Sequence, residues 1–287
     1  MSSISAHAPP TIICKDSRDT LRDASRVALR VICVPQAGMG AWAFHGWQAQ
    51  MPAGVEVLPV EMPGRNSRMG EPKPESMEIL VADLCEGLRG AGAFDLPYVL
   101  LGHSLGAWVA FELCASQLRD RRRAPSLLIV SGARPPHLSA LEHDADRSQP
   151  AISHLPDAEF WAHFERRYGR NPDLDDPSGM VKSFVAPLLR ADFKILESYQ
   201  PSLGRGPLPC PVFACAAAHD ERLSPGQLQE WQCYAQADAF RQTIFATTPL
   251  PWSTPHRYLV EAPSEFQETL ARECSRLLDA IAAANPK

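Results

Sequence analysis

The sequence predicts an α/β fold: a mostly parallel central sheet with helices on both faces. Short, wholly apolar runs rich in Val, Ile and Leu recur along the chain, and amphipathic helical patterns stand between them. Gly- or Pro-bearing loops separate the two kinds of segment.

Taken in order, Ala28–Val34 is a β-branched run stopped by Pro35 and followed by the glycine-bearing loop Pro35-Gln-Ala-Gly-Met-Gly40. Val55–Val60 is a second run, ending before Pro63-Gly64. Met77, Leu80, Val81, Leu84 and Leu88 repeat at helical spacing, and Gly90 and Gly92 end the pattern. Tyr98–Gly102 is a buried strand that turns sharply into the helical stretch Ala107–Leu118. Ser126–Val130 and Pro211–Ala216 are further buried strands, Gln242–Ala246 is a weaker one, and Ser264–Ala283 is the closing helix.

Between the strands at 126–130 and 211–216 the chain departs from this rhythm. Residues 135–206 carry helical patterns at Asp157–Tyr168 and Ser178–Tyr199, far more than the roughly 2–6 residues of an ordinary connection. They are expected to form a helical lid over one end of a core made of 27–134 and 207–287, with 1–26 as a flexible tail.

Composition narrows the function. The net charge of -5 has the wrong sign for a chain that neutralises nucleic-acid phosphates, and 27 Pro with 17 Gly in 287 residues is too few for low complexity. No apolar stretch approaches the ~18 residues of a membrane span, and no secretory signal pattern opens the chain. The eight cysteines form no C-x-x-C pair, and Cys33, Cys114 and Cys215 lie in apolar runs, so buried reduced thiols in a cytoplasmic protein are expected. Glu142-His-Asp-Ala-Asp146 lacks metal-ligand spacing and reads as a solvated lid segment; no metal is expected. Trp42, Phe44 and Trp47 read as packing beneath the 35–40 loop.

The sharpest chemical signal is Gly102-His-Ser-Leu-Gly106. It sits between a strand and a helix, the setting in which small flanking residues let a serine occupy a strained turn and expose its hydroxyl. A serine hydroxyl is a weak nucleophile and needs a histidine base oriented by a carboxylate, in the chain order Ser, acid, His. Asp220 follows the 211–216 strand, and His256 follows both Asp220 and the last strand. The triad is therefore Ser104, Asp220 and His256, with Glu221 as the nearest substitute acid and His219 with Asp192 as a weaker pairing. The backbone N–H groups of Leu105 and Ala37, or else Gly38, are the expected oxyanion donors.

These residues resemble more than a generic α/β-hydrolase. Pro35-Gln-Ala-Gly-Met-Gly, Pro63-Gly-Arg-Asn-Ser-Arg-Met-Gly-Glu-Pro72, Gly-His-Ser-Leu-Gly-Ala107 and the lid strings Leu155–Phe160 and Leu189–Tyr199 are similar to successive motifs of the type II thioesterases of polyketide, nonribosomal peptide and fatty acid synthases. The resemblance implies hydrolysis of acyl groups from the phosphopantetheine thiol of an acyl or peptidyl carrier protein, in an editing role, by a monomer with no cofactor of its own. Release of a medium-chain fatty acid, or hydrolysis of small esters, is the alternative, and a carrier-binding module that has lost catalysis is a third reading. The chain departs from the family at Gln36, where members carry His, and at Ser253–Tyr258, where they carry Gly-Gly-His-Phe-Phe. Carrier proteins are typically acidic, so docking on an acidic chain calls for a local basic patch. Arg119, Arg121, Arg122 and Arg123 are the candidates.

Overall fold

The computed structural model describes residues 26–204, 206–246 and 250–284; the tail expected at 1–26 lies outside the described residues except for Arg26. Six strands form one parallel sheet in the order β2-β1-β3-β4-β5-β6. They are β1 (Leu29–Val34), β2 (Val55–Pro59), β3 (Tyr98–His103), β4 (Leu127–Ser131), β5 (Val212–Ala217) and β6 (Phe240–Phe245). The fold is of the α/β-hydrolase type.

Alternate residues of each central strand face opposite layers, which is why these strands read as continuous apolar runs rather than as polar–apolar alternation. Ile32, Leu100, Leu128 and Val212 pack with α1 (Met77–Gly90) and α2 (Leu105–Arg119). Val31, Val99, Ile129 and Phe213 pack on the other face with Tyr258 and with Phe266 of α7 (Ser264–Ala284). The start of α1 follows from Ser76, whose hydroxyl accepts from the Ile79 N–H. The weak strand signal at 242–246 corresponds to β6, which begins two residues earlier and is half exposed because it forms the sheet edge.

The residues between β4 and β5 contribute α3 (Asp157–Tyr168) and α4 (Met180–Ser198). These helices have an apolar cluster of their own, built on Ile152, Phe160, Trp161, Ala186, Leu189 and Phe193. Two small helices, α5 (Pro225–Gln229) and α6 (Tyr258–Glu261), follow β5 and β6. Cys33, Cys114 and Cys215 are free and buried. Among the described residues, no helix is long and apolar enough to cross a membrane.

Candidate active site

The site is built at the carboxyl ends of β3, β5 and β6, where a parallel sheet leaves backbone turns open to ligand. Ser104 follows β3 with φ 54° and ψ -118°, a conformation that costs a non-glycine residue about 1–3 kcal/mol. Its neighbours enforce the turn. A Cβ at Gly102 would fall on the Gly106 backbone, and one at Gly106 would fall on the Val34 and Pro35 carbonyls. The Ser104 N–H is held by the Ser131 carbonyl at 2.8 Å. This geometry sets Ser104 Oγ at the amino end of the 15-residue α2, where the first N–H groups have no intrahelical partner.

His256 Nε2 lies 3.1 Å from Ser104 Oγ, and His256 Nδ1 lies 2.9 Å from Asp220 Oδ2. The three side chains therefore form one hydrogen-bonded chain. The carboxylate can only accept, so Nδ1 carries the proton and Nε2 is free to take one from the serine. Burial alone would raise the Asp220 pKa. The adjacent His256 and the Arg222 N–H, which donates to Oδ1 at 2.9 Å, reverse this and hold the carboxyl below its ordinary range. Pro255 opens the one-turn 3-10 helix Pro255–Arg257, so the departure from the family pattern there supplies a fixed φ at a helix start. His219 is exposed, with φ 61°, and Glu221 is exposed, so neither reaches this chain.

His103 is a functional neighbour that the sequence reading passed over. Its Nε2–H donates to the His256 carbonyl at 2.8 Å, and its Nδ1 accepts from Ser131 Oγ at 2.9 Å. Ser131 in turn accepts from the Tyr258 hydroxyl at 2.6 Å. Burial, and then the nearby His256, push the His103 pKa down to about 3, so its neutral form holds the His256 backbone. Burial likewise raises the Tyr258 pKa and keeps that hydroxyl a donor.

Ser104 opens on one side to an apolar cavity of about 850 Å³ whose walls include Trp42, Phe164, Val185, Leu189, Phe193 and Trp252. On the other side lies a chamber of about 60 Å³ with polar walls, among them Arg134, Asp144, Arg167 and Arg222. Two expectations change here. Phe44 and Trp47 are buried, but Trp42 is 56 % exposed at the cavity, so it is a wall of the site rather than packing beneath the loop. The 142–146 segment is not simply solvated, since Asp144 is buried between Arg222 at 2.7 Å and Arg134 at 3.3 Å. Linear spacing could not show this, because both arginines come from other segments.

The loop after β1 lies beside Ser104, with Ala37 and Gly38 on the cavity. The Gly38 N–H donates to Asp192 Oδ2 at 2.7 Å, which leaves Ala37 as the donor open to a ligand of the two that the sequence allowed. Arg119, Arg121, Arg122 and Arg123 are not brought to the site. They close the far end of α2, which at 1.5 Å per residue is about 22 Å from its start at Leu105. Arg119 donates to Ser202 Oγ at 2.7 Å, and the Arg123 carbonyl accepts from the Tyr98 hydroxyl at 2.6 Å. This cluster does not rim the catalytic opening.

Residues 29–278 match the thioesterase domain family. The chain is 28 % identical over 254 residues to the gramicidin S biosynthesis protein GrsT of Aneurinibacillus migulanus, covering 88 % of this chain and 92 % of that protein. It superposes with a TM-score of 0.73 on the RedJ thioesterase from the prodiginine biosynthetic pathway of Streptomyces coelicolor, at 30 % identity and 88 % coverage of each chain. YbtT, a type II thioesterase from the yersiniabactin NRPS/PKS pathway, gives a TM-score of 0.67 at 31 % identity, with 87 % of this chain and 94 % of that one covered.

Proposed function

The chain belongs to the thioesterase domain family, and from that premise we propose that it is an editing thioesterase of a polyketide or nonribosomal peptide synthase. It hydrolyses acyl groups from the phosphopantetheine thiol of a carrier protein. The observation that carries this reading is the Ser104–His256–Asp220 hydrogen-bonded chain at the floor of a large apolar cavity.

In this reading His256 Nε2 takes the Ser104 proton as Oγ attacks the thioester carbonyl, and Asp220 stabilises the imidazolium. The N–H groups of Leu105 and Ala37 hold the oxyanion. Collapse of the tetrahedral intermediate breaks the C–S bond and expels a thiolate whose thiol has a pKa of ~8.5; the sulfur takes the proton from the His256 imidazolium, which restores the neutral base. A water deprotonated by His256 then releases the acid and frees Ser104. The cavity falls within the roughly 300–1,000 Å³ of small-molecule sites, and its aliphatic and aromatic walls suit an acyl chain. The α3–α4 segment acts as its lid. The prosthetic arm enters past Trp42, Leu250 and Trp252, and the carrier docks around that mouth.

Steady-state hydrolysis of acetyl-, propionyl- and decanoyl-carrier substrates tests the reading. The wild type is expected to turn over the short chains and Ser104→Ala none. Equal inactivity of both on every substrate overturns it. Faster hydrolysis of a p-nitrophenyl ester than of the carrier thioester with the same acyl group would favour a small-molecule esterase.

A further inference from the structure

Two family-like motifs, Pro63-Gly-Arg-Asn and Leu189-Arg-Ala-Asp-Phe, contribute no residue to the triad, yet their charged members meet in the interior. Arg65 Nη2 and Asp192 Oδ1 are 2.8 Å apart, with side chains 5 % and 3 % exposed. Each ion also grips the oxyanion loop. Asp192 Oδ2 accepts from the Gly38 N–H at 2.7 Å, and Arg65 Nη1 donates to the Met39 carbonyl at 2.7 Å. Two residues further on, Glu61 Oε1 accepts from the Ala41 N–H at 3.3 Å and its Oε2 from Asn66 Nδ2 at 2.9 Å. The loop between Gln36 and Ala41 is thus held by side chains at three stations, Gly38, Met39 and Ala41. The station beside the proposed donor Ala37 belongs to α4.

A buried carboxylate is costly unless it is paired and hydrogen-bonded, and one that satisfies both conditions fixes its partners closely. Gly38 needs its identity for the same reason. It has φ +77°, and a Cβ there would lie 2.5 Å from Leu189 Cδ2, one turn of α4 before Asp192. Leu189 and Phe193, which flank the acid on that helix, are walls of the apolar cavity. The helix that lines the cavity therefore also sets the backbone beside the oxyanion position.

We propose that Asp192, with Arg65, is the positioning pair of the oxyanion loop: it fixes the Gly38 peptide so that the Ala37 N–H faces the carbonyl under attack, and it makes that alignment depend on the seating of α4. This deepens the thioesterase reading and rests on it. A misaligned donor weakens only interactions formed at the transition state, so the loss falls on kcat rather than KM.

The test uses the full chain and compares Asp192→Ala, Asp192→Asn and Arg65→Lys with wild type. Three readouts are taken: kcat and KM on propionyl-carrier, the rate of fluorophosphonate labelling of Ser104, and Tm. Removal of one oxyanion donor typically costs 10²–10³-fold, and loss of its alignment should cost somewhat less. Asp192→Ala is expected to lower kcat about 50-fold and labelling in parallel, with KM changed less than threefold. Asp192→Asn, which keeps an oxygen for Gly38, and Arg65→Lys, which keeps the charge but not both contacts, are expected to lose about 5–10-fold. A folded Asp192→Ala with kcat within threefold of wild type, or with the loss confined to KM, overturns the proposal. If Asp192→Ala does not fold, unchanged kcat and labelling in the two conservative variants overturns it. Labelling needs an activated serine and an oxyanion site but no thioester. If the wild type labels yet hydrolyses no acyl-carrier, the substrate reading falls while the positioning pair is still judged by labelling.

Discussion

Ser104 and the helical segment that lines the cavity beside it are held in different ways. Ser104 follows β3, a central strand paired on both sides and wholly buried, and its turn is forced by backbone contacts at Gly102 and Gly106. The α3–α4 segment rests on a small apolar cluster of its own and is tied down at separate polar points. Asp192 bonds the oxyanion loop, Glu112 accepts from the Tyr199 hydroxyl at 2.7 Å and the Ser202 N–H at 3.0 Å, and Gly169 bridges Ser253 beside His256. A close-packed interior fixes geometry through many small contacts, whereas discrete polar ties can be lost one at a time. The geometry of the Ser104–His256–Asp220 chain therefore belongs to the sheet, and much of the wall of the apolar cavity belongs to the inserted segment.

The largest effects should come from the sheet-borne residues. Ser104→Ala is expected to lower kcat by about 10⁴-fold or more, and Asp220→Asn, which removes the acceptor that fixes the His256 tautomer, by about 10³–10⁴-fold. Both should leave Tm within a few degrees, as read by steady-state kinetics beside thermal melts. Persistence of more than a tenth of wild-type turnover in Asp220→Asn would show that the acid is not what orients His256.

Changes in the inserted segment should alter selectivity instead. Val185→Trp fills part of the cavity and is expected to lower the decanoyl-to-acetyl ratio of kcat/KM about 30-fold. A ratio unchanged within twofold would remove the cavity from acyl recognition.

The His103 network gives a stability signature. Its folded pKa of about 3 lies below the ordinary ~6.5, so between those values the unfolded chain takes up a proton that the folded chain excludes. Stability from this group is complete above about pH 6.5 and is lost as pH falls toward 3, at up to ~1.4 kcal/mol per pH unit. Asp220 and Asp144 have lowered pKa values, so their contributions are lost only as pH falls below the ordinary carboxylate range. Urea midpoints between pH 7 and 4.5 should therefore fall with pH in the wild type and more shallowly in His103→Asn; identical slopes would refute the neutral buried imidazole.

The smallest effect is expected at the far end of α2. Arg121→Glu with Arg122→Glu should change carrier hydrolysis less than twofold, because none of these arginines lines the cavity. A loss beyond fivefold that spares a small ester would identify this patch as the docking surface.

Much of the molecule was legible because its signals are local. A strand buried on both faces must be apolar throughout, and a serine on a strained turn needs small neighbours, so β1, β3, β4, β5 and Ser104 are written in contiguous residues. Asp220 and His256 were found by chain order, since each must follow a strand. The exposure of Trp42 and the ion pairs of Asp144 were not legible. Each depends on which distant segments meet.

The sequence alone determined the order of strands and helices, the strand-to-helix turn at Ser104, the choice of Asp220 and His256 as its proposed partners, and the family. Only the tertiary structure gave the Gly38 N–H its partner in Asp192, joined Arg65 to Asp192 across 127 positions, and placed His103 against the His256 carbonyl. Periodicity and turn chemistry act over a few residues and leave a trace in the string. A buried hydrogen bond between remote side chains depends on where the folded backbone carries them, and no local pattern records it.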